Sequence, residues 1–388
     1  MASSIVSEET YEKKFLDKLS DKLVDGVANI INKVRPGWIE KNKSKIDEWK
    51  LMFYAFNRSP PGIIGAILII SFITIGLFGP YLAPYSYREF LYIEYPDTYL
   101  VPPGASITIT NDQGEIVKVF HFPLGTDKYG RDLLSLILYG ARVSLIVSLI
   151  VIILGVPVGI LLGLVAGYFG GKVDEVIMRI TDIFLAFPAL ILAIAFASVL
   201  PERIRPIIIQ SNILKQVLSI IFAADIRDAA NFAPILSVIL AIILVWWPAY
   251  TRIIRGSVLS ARENLYVEAA RALGVSTWKI LFKHILPNII SPVLVLITLD
   301  IGAVILMEAA LSFLGLGAQD PMVDWGKIVY DGAQYFPDRW WLVIFPGLAT
   351  FLAVLGWNLI GDTLRDVLDP RTRRSIEFKV KKKKKQEM

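Results

Sequence analysis

Apolar residues in this chain are gathered into long blocks. Runs of about 20 residues or more, the length that crosses a hydrocarbon core, fall at roughly 62–83, 139–168, 177–200, 233–254, 288–314 and 341–362. A further apolar stretch, Ile207 to Ala223, carries Gln210, Ser211, Asn212, Lys215 and Gln216. Crossing lipid there would bury a charge and several amides at considerable cost, so it reads as an amphipathic piece on the outer face. Between the first two runs the period changes. Ser106-Ile107-Thr108-Ile109-Thr110 alternates, Asn111 to Gly114 is turn-forming, and Glu115 to Phe120 resumes an extended pattern, the signature of a β-hairpin. The pattern therefore predicts an all-α polytopic membrane protein with six transmembrane helices and a small extracytoplasmic segment containing a β-hairpin. Residues 1–50 are charged and lack a compact apolar h-region, so they read as a partly helical cytoplasmic extension rather than a signal peptide.

Composition agrees: 55% of the 388 residues are apolar, the profile of a polytopic membrane protein. Charge adds orientation. With six spans and the N-terminus inside, three basic groups share one side: Lys41, Lys43 and Lys45; Arg252, Arg255, Arg262, Arg271, Lys279 and Lys283; and the tail Lys381 to Lys385. Both termini are then cytoplasmic, and the net charge of +5 speaks of membrane orientation and anionic headgroups rather than nucleic acid. The chain has no Cys, which excludes disulfides and thiolate metal sites. His121 and His284 are too far apart for a metal site, and no Ser/His/Asp set lies on one side of the membrane. No G-x-x-x-x-G-K-[ST] phosphate loop occurs. No catalytic, metal-binding or cofactor-binding residue is assigned, and any energy must arrive from another protein.

Three features carry candidate function. The first is the polar stretch between the fourth and fifth runs, Tyr266-Val267-Glu268-Ala269-Ala270-Arg271-Ala272-Leu273-Gly274. Glu268 to Leu273 are good helix formers, Gly274 sits where a left-handed C-cap would end the helix, Ser276 can cap the next one, and Pro287 opens a new apolar segment. This is a helix-turn-helix handle at the membrane surface, suited to a soluble partner. The second is Gly155, Gly159, Gly163 and Gly167, one stripe along a helix that allows close backbone approach in lipid, either within the chain or against another subunit. The third is Asp300 and Glu308, ionisable groups in a span and about 80° apart on adjoining parts of one face. They are pathway candidates, set against a purely structural hydrogen-bonding role. Asp362 and Arg365 end the last span, where they anchor or snorkel.

Glu268-Ala269-Ala270, Gly274 and Leu286-Pro287 resemble the EAA loop of permease subunits in binding-protein-dependent ABC importers. Pro123 to Asp132, Tyr139 to Leu145, Glu308 to Gly317, and Asn358 to Asp366 with Leu368 to Arg371 extend the resemblance to the C-type permease of the dipeptide/oligopeptide group. The resemblance implies a type I ABC importer permease fold in an inner membrane, with a cytoplasmic extension over 1–58 and a first span with an extracytoplasmic segment over 59–138. A permease core over 139–366 would contain the coupling loop at about 255–287, and a basic tail would follow over 367–388. It also implies a homologous second permease, two ATP-binding subunits that hold ATP and Mg, and an extracytoplasmic binding protein. The coupling residues would be Glu268, Ala269, Ala270, Gly274, Leu286 and Pro287: the alanines admit the partner, Gly274 sets the turn, and Glu268 meets a basic group. Di- or oligopeptides are the implied cargo, with oligosaccharides and nickel as alternatives. Three features depart from the family pattern: His284, Asp300, and the long segments before Trp49 and over 201–232. An ion-coupled secondary transporter using Asp300 and Glu308 is the competing class, but the inverted repeats it would carry are not visible.

Overall fold

The computed structural model describes residues 15–110 and 115–368. The expected turn at 111–114 and the basic tail at Lys381–Lys385 lie outside the described residues. The chain divides into two units. One comprises Met1–Ala66 with Leu359–Met388, and the other Ile67–Asn358.

In the first unit, helices α1 (Phe15–Val34), α2 (Trp38–Lys41) and α3 (Lys43–Phe56) precede α4 (Pro60–Leu82), which continues into the second unit. Val24 and Ala28 of α1 pack on Ile46 of α3, with Trp38 and Trp49 closing the cluster. The expected helical character of the extension is present in its described part.

The second unit continues with α5 (Leu91–Glu94), strands β1 (Ala105–Thr110) and β2 (Ile116–Phe122), α6 (Leu133–Phe169), α7 (Gly171–Leu185), α8 (Ala189–Gln210) and α9 (Asn212–Phe222). It then runs through α10 (Phe232–Arg262), α11 (Leu265–Ala272), α12 (Thr277–Lys279), α13 (Leu286–Phe313), α14 (Trp325–Ala333) and α15 (Trp341–Leu368), whose last turns belong to the first unit. The hairpin is antiparallel, pairing Ala105 with Phe122 and Thr108 with Val119. Phe120 and Phe122, fully buried, seat it against Leu91 and Val101.

Among the described residues, five helical runs are long and apolar enough to span a membrane: 60–82, 133–169, 226–262, 277–313 and 341–368. The third span expected from sequence, 177–200, is not one helix. It is α7 and α8, bent by 87° across Ala186 to Pro188. Pro188 has no N–H to continue the ladder and drives Phe187 out of the helical region. The amphipathic stretch also divides: residues 207–210 finish α8, and Ser211 then caps α9 by accepting from Leu214 N at 3.2 Å. Arg142 of α6 holds the end of α9, donating to the carbonyls of Ile221 (2.8 Å) and Ile220 (3.1 Å) in its last turn, where the helical ladder runs out.

The core is built on α6 and α10. The four stripe glycines of α6 face α10 within this same chain. A methyl added at Gly159 would stand 2.5 Å from the Trp247 carbonyl oxygen, and at Gly163 or Gly167 it would stand 2.7 Å from Ile254 or Val258. Thr251 of α10 donates to Gly159 O at 3.3 Å across the contact. The stripe is filled, leaving no free surface there for another subunit.

Candidate functional site

The handle begins where α10 ends. Several of the basic residues expected in a loop are helical: Arg252, Arg255 and Arg262 lie on α10. Two are paired to α7, Arg252 with Asp182 at 2.5 Å and Arg255 with Asp174. Asn264 then leaves helical geometry, and its carbonyl accepts from Val267 N (2.9 Å) to start α11. This helix is longer at its N-terminal end than the helix formers from Glu268 suggest.

α11 ends in a Schellman turn. Val275 N donates to Ala270 O (3.1 Å) and Gly274 N to Arg271 O (2.9 Å), while Gly274 takes φ +72° with open space around it, a conformation glycine adopts without a Cβ penalty. Ser276 stands at the next N-cap, but its hydroxyl makes no cap hydrogen bond; the Ser276 carbonyl, not the side chain, accepts from Ile280 N at 3.0 Å. Pro287 stands in the first turn of α13, where its missing N–H costs nothing, although no loop precedes it. A π-helical turn over Ile280–Ile285 joins α12 to α13 in one run, and the widened turn moves the preceding carbonyls away from the proline ring.

One face of α11 is anchored and the other is open. Val267 is 0% and Ala270 6% exposed, in the same core as Ile280, Leu281 and Ile285. Arg271 reaches the end of α6: its Nε donates to the Tyr168 hydroxyl at 3.3 Å and its guanidinium lies 4.9 Å from the ring centroid. Arg262 donates to Gly167 O at 2.9 Å beside it. Glu268, Ala269 and Gly274 are exposed. Ala270, expected to meet a partner, instead packs inward. Leu286 is half-buried against the core, and Pro287 is exposed on α13. Sequence reasoning missed the apolar residues at the open face, Leu265 and Leu273, each 82% exposed, and the stacked rings of Trp278 and Phe282 (6.0 Å between centroids). The available signal was a leucine at the start of a short polar helix and another just past its end, apolar side chains that the fold leaves exposed.

The two carboxylates of α13 do not come together. Asp300 is half-buried and accepts on Oδ2 from Tyr250 OH (2.7 Å) and Trp246 Nε1 (3.0 Å) of α10. Glu308 is 2% exposed. It accepts from Ser144 of α6 at 3.0 Å and lies 3.5 Å from the Ser312 hydroxyl, which donates to Asp324 at 2.7 Å. Asp324 also caps α14 by accepting from Lys327 N at 2.7 Å, and burial pushes its carboxyl above the usual range. Glu308 therefore ties α6, α13 and the start of α14 together, enclosed by packing rather than facing an open path.

At the opposite end of α6, the Gly125 to Asp132 segment forms a charged lock. Arg131 is 2% exposed and pairs with Asp127 at 2.7 Å and Asp320 at 3.3 Å. Burial alone would lower its guanidinium pKa, but those two carboxylates more than offset that and hold it above its ordinary value. Asp132 caps α6, accepting from Ser135 N at 2.8 Å.

Comparison with known proteins matches these features. Residues 159–374 fit the family described as the binding-protein-dependent transport system inner membrane component. Residues 48–103 fit the N-terminal transmembrane domain of oligopeptide transport permease C. The dipeptide transport system permease protein of Alkalihalophilus pseudofirmus is 37% identical over 86% of this chain and 93% of its own length. That of Escherichia coli K12 is 38% identical over 82% and 92%. A probable D,D-dipeptide transport system permease protein of the same organism is 35% identical over 82% and 91%. With the family regions covering the end of α6, all of α10 and α11, and the last span, the chain belongs to the inner-membrane permease family of binding-protein-dependent ABC importers, in its dipeptide/oligopeptide C-type group.

Proposed function

We propose that the chain forms one half of a translocation pathway for di- or oligopeptides, beside a homologous second permease, and takes its driving force at α11 from a cytoplasmic ATPase. The observation that carries this reading is the two-sided character of α11. Val267 and Ala270 root it in the core and Arg271 ties it to α6, while Leu265, Glu268, Ala269 and Leu273 stay open. ATP and Mg belong to the partner ATPases, and both termini lie on their side of the membrane. An extracytoplasmic binding protein delivers the cargo. The peptide reading rests on the names of the relatives.

Asp300 is the residue of the pathway. It is half-buried, and among the described residues its hydrogen-bond partners are neutral, Tyr250 and Trp246. A carboxylate so placed can meet the ammonium group of a peptide. The test is reconstitution in proteoliposomes with the second permease, two ATPases and the binding protein. Uptake of labelled dipeptide is expected to require ATP and every subunit, and uptake by this chain alone would overturn the reading. Asp300→Asn, which keeps both hydrogen bonds as acceptor, is expected to lower peptide uptake about tenfold, the value of one charged hydrogen bond, without weakening ATPase association.

A further inference from the structure

Helix α1 has more apolar surface than its own unit covers. At about 100° per residue it presents three faces. One carries Val24 and Ala28 into the cluster with Ile46. A second is polar, with Lys18, Asp25 and Asn29. The third, about 80° wide by the same spacing, carries Leu16, Leu19, Leu23, Val27, Ile30 and Val34, which are between 42% and 77% exposed. Lys22 and Lys33 border that face on its polar side. Lipid suits such a surface better than a protein partner: it is purely aliphatic, without the Trp, Tyr or Arg that anchor protein interfaces.

The start of α1 is pinned where the chain enters the membrane. Asn57 donates to Asp17 (3.1 Å) and Ser20 (3.2 Å), and Arg58 forks onto both oxygens of Asp17 at 3.2 Å. Pro60, two residues on, begins the first apolar span. The segment from Phe15 to Arg58 holds nine Lys and Arg against six Asp and Glu, a sign that complements anionic lipid. It also contains all of α1, which lies before both family-matched regions. We infer that α1 is an interfacial helix, lying in the headgroup and acyl boundary of the leaflet where α4 begins, with its aliphatic face in lipid and Lys22 and Lys33 at anionic headgroups.

The absence of cysteine makes the test direct. Full-length Leu23→Cys and Asn29→Cys variants carry a bimane label in vesicles of phosphatidylcholine and phosphatidylglycerol, and quenching by doxyl-labelled lipid is compared with quenching by iodide. The label at position 23 is expected to be quenched by doxyl lipid at least about twofold more than that at 29, with iodide showing the reverse order, as for a helix lying in the interface. Ile30→Cys reads the same face if the first variant folds poorly. Equal iodide access at 23 and 29 overturns the inference. So does shielding of position 23 from both quenchers, which would mark a protein cover such as a second copy or an ATPase subunit.

Discussion

Gly155 and Gly159 stand one helical turn apart on the same stripe, yet their surroundings differ. A methyl at Gly155 would meet Ile243 at 3.8 Å, an ordinary contact, whereas at Gly159 it would meet Trp247 O at 2.5 Å and Tyr250 Cβ at 2.6 Å. Gly155→Ala is therefore expected to be neutral or stabilising by up to about 1 kcal/mol, the helix-propensity gain. Gly159→Ala is expected to cost about 1–3 kcal/mol through overpacking, and Gly159→Leu more. Thermal unfolding in detergent measures both, and equal shifts would refute the packing assignment. Arg131 poses a different residue-scale problem, because its loss strands Asp127, itself 4% exposed. Arg131→Leu is expected to destabilise by about 3–5 kcal/mol, and adding Asp127→Asn is expected to recover part of that, read as the coupling energy of a double-mutant cycle.

α11 is a short helix held by its ends. Gly274→Val forces a β-branched residue to φ +72°, at a cost of about 1–3 kcal/mol, and loosens the Val275–Ala270 hydrogen bond. Faster amide exchange in the last turn of α11, weaker ATPase pull-down and normal membrane insertion are expected together. Undiminished association would count against α11 as the docking element. Glu268→Lys reverses a charge on the open face without touching the buried one; it is expected to weaken association and leave exchange unchanged. The capping glycine was legible because it needs a particular backbone conformation that few residues adopt. The π turn over 280–285 was not, since slipping one hydrogen bond along the ladder asks for no special residue. The interruption of the third span was written in Phe187-Pro188, but an apolar run averages over a single proline.

For the whole molecule, length and hydropathy carried the order of the membrane passages and five of them as single helices, but not the bend that divides the third, and alternation at 105–122 carried the hairpin. Spacing along a helix gives the angle between two side chains but not which neighbour covers each. That is why Asp300 and Glu308, adjoining on a wheel, part company: one meets α10 in a half-buried setting, the other is sealed between α6 and the start of α14. The glycine stripe met the same limit, announcing close approach without naming α10 as the partner. At this scale the ordered motifs and the composition agreed, while the identity of each covering surface depended on the fold.

The glycine contact has a mechanical consequence. Two helices packed this closely, with glycine on one side and only the α10 backbone and the first carbons of its side chains on the other, resist bending as a two-ply beam, stiffer than either ply alone, because close-packed interiors compress little and pass strain onward. Arg271 loads one end of that beam at Tyr168, and the charged lock at Arg131 grips the other. Under the docking role proposed for α11, a small displacement imposed there is expected to reappear at the far end instead of being absorbed along the way.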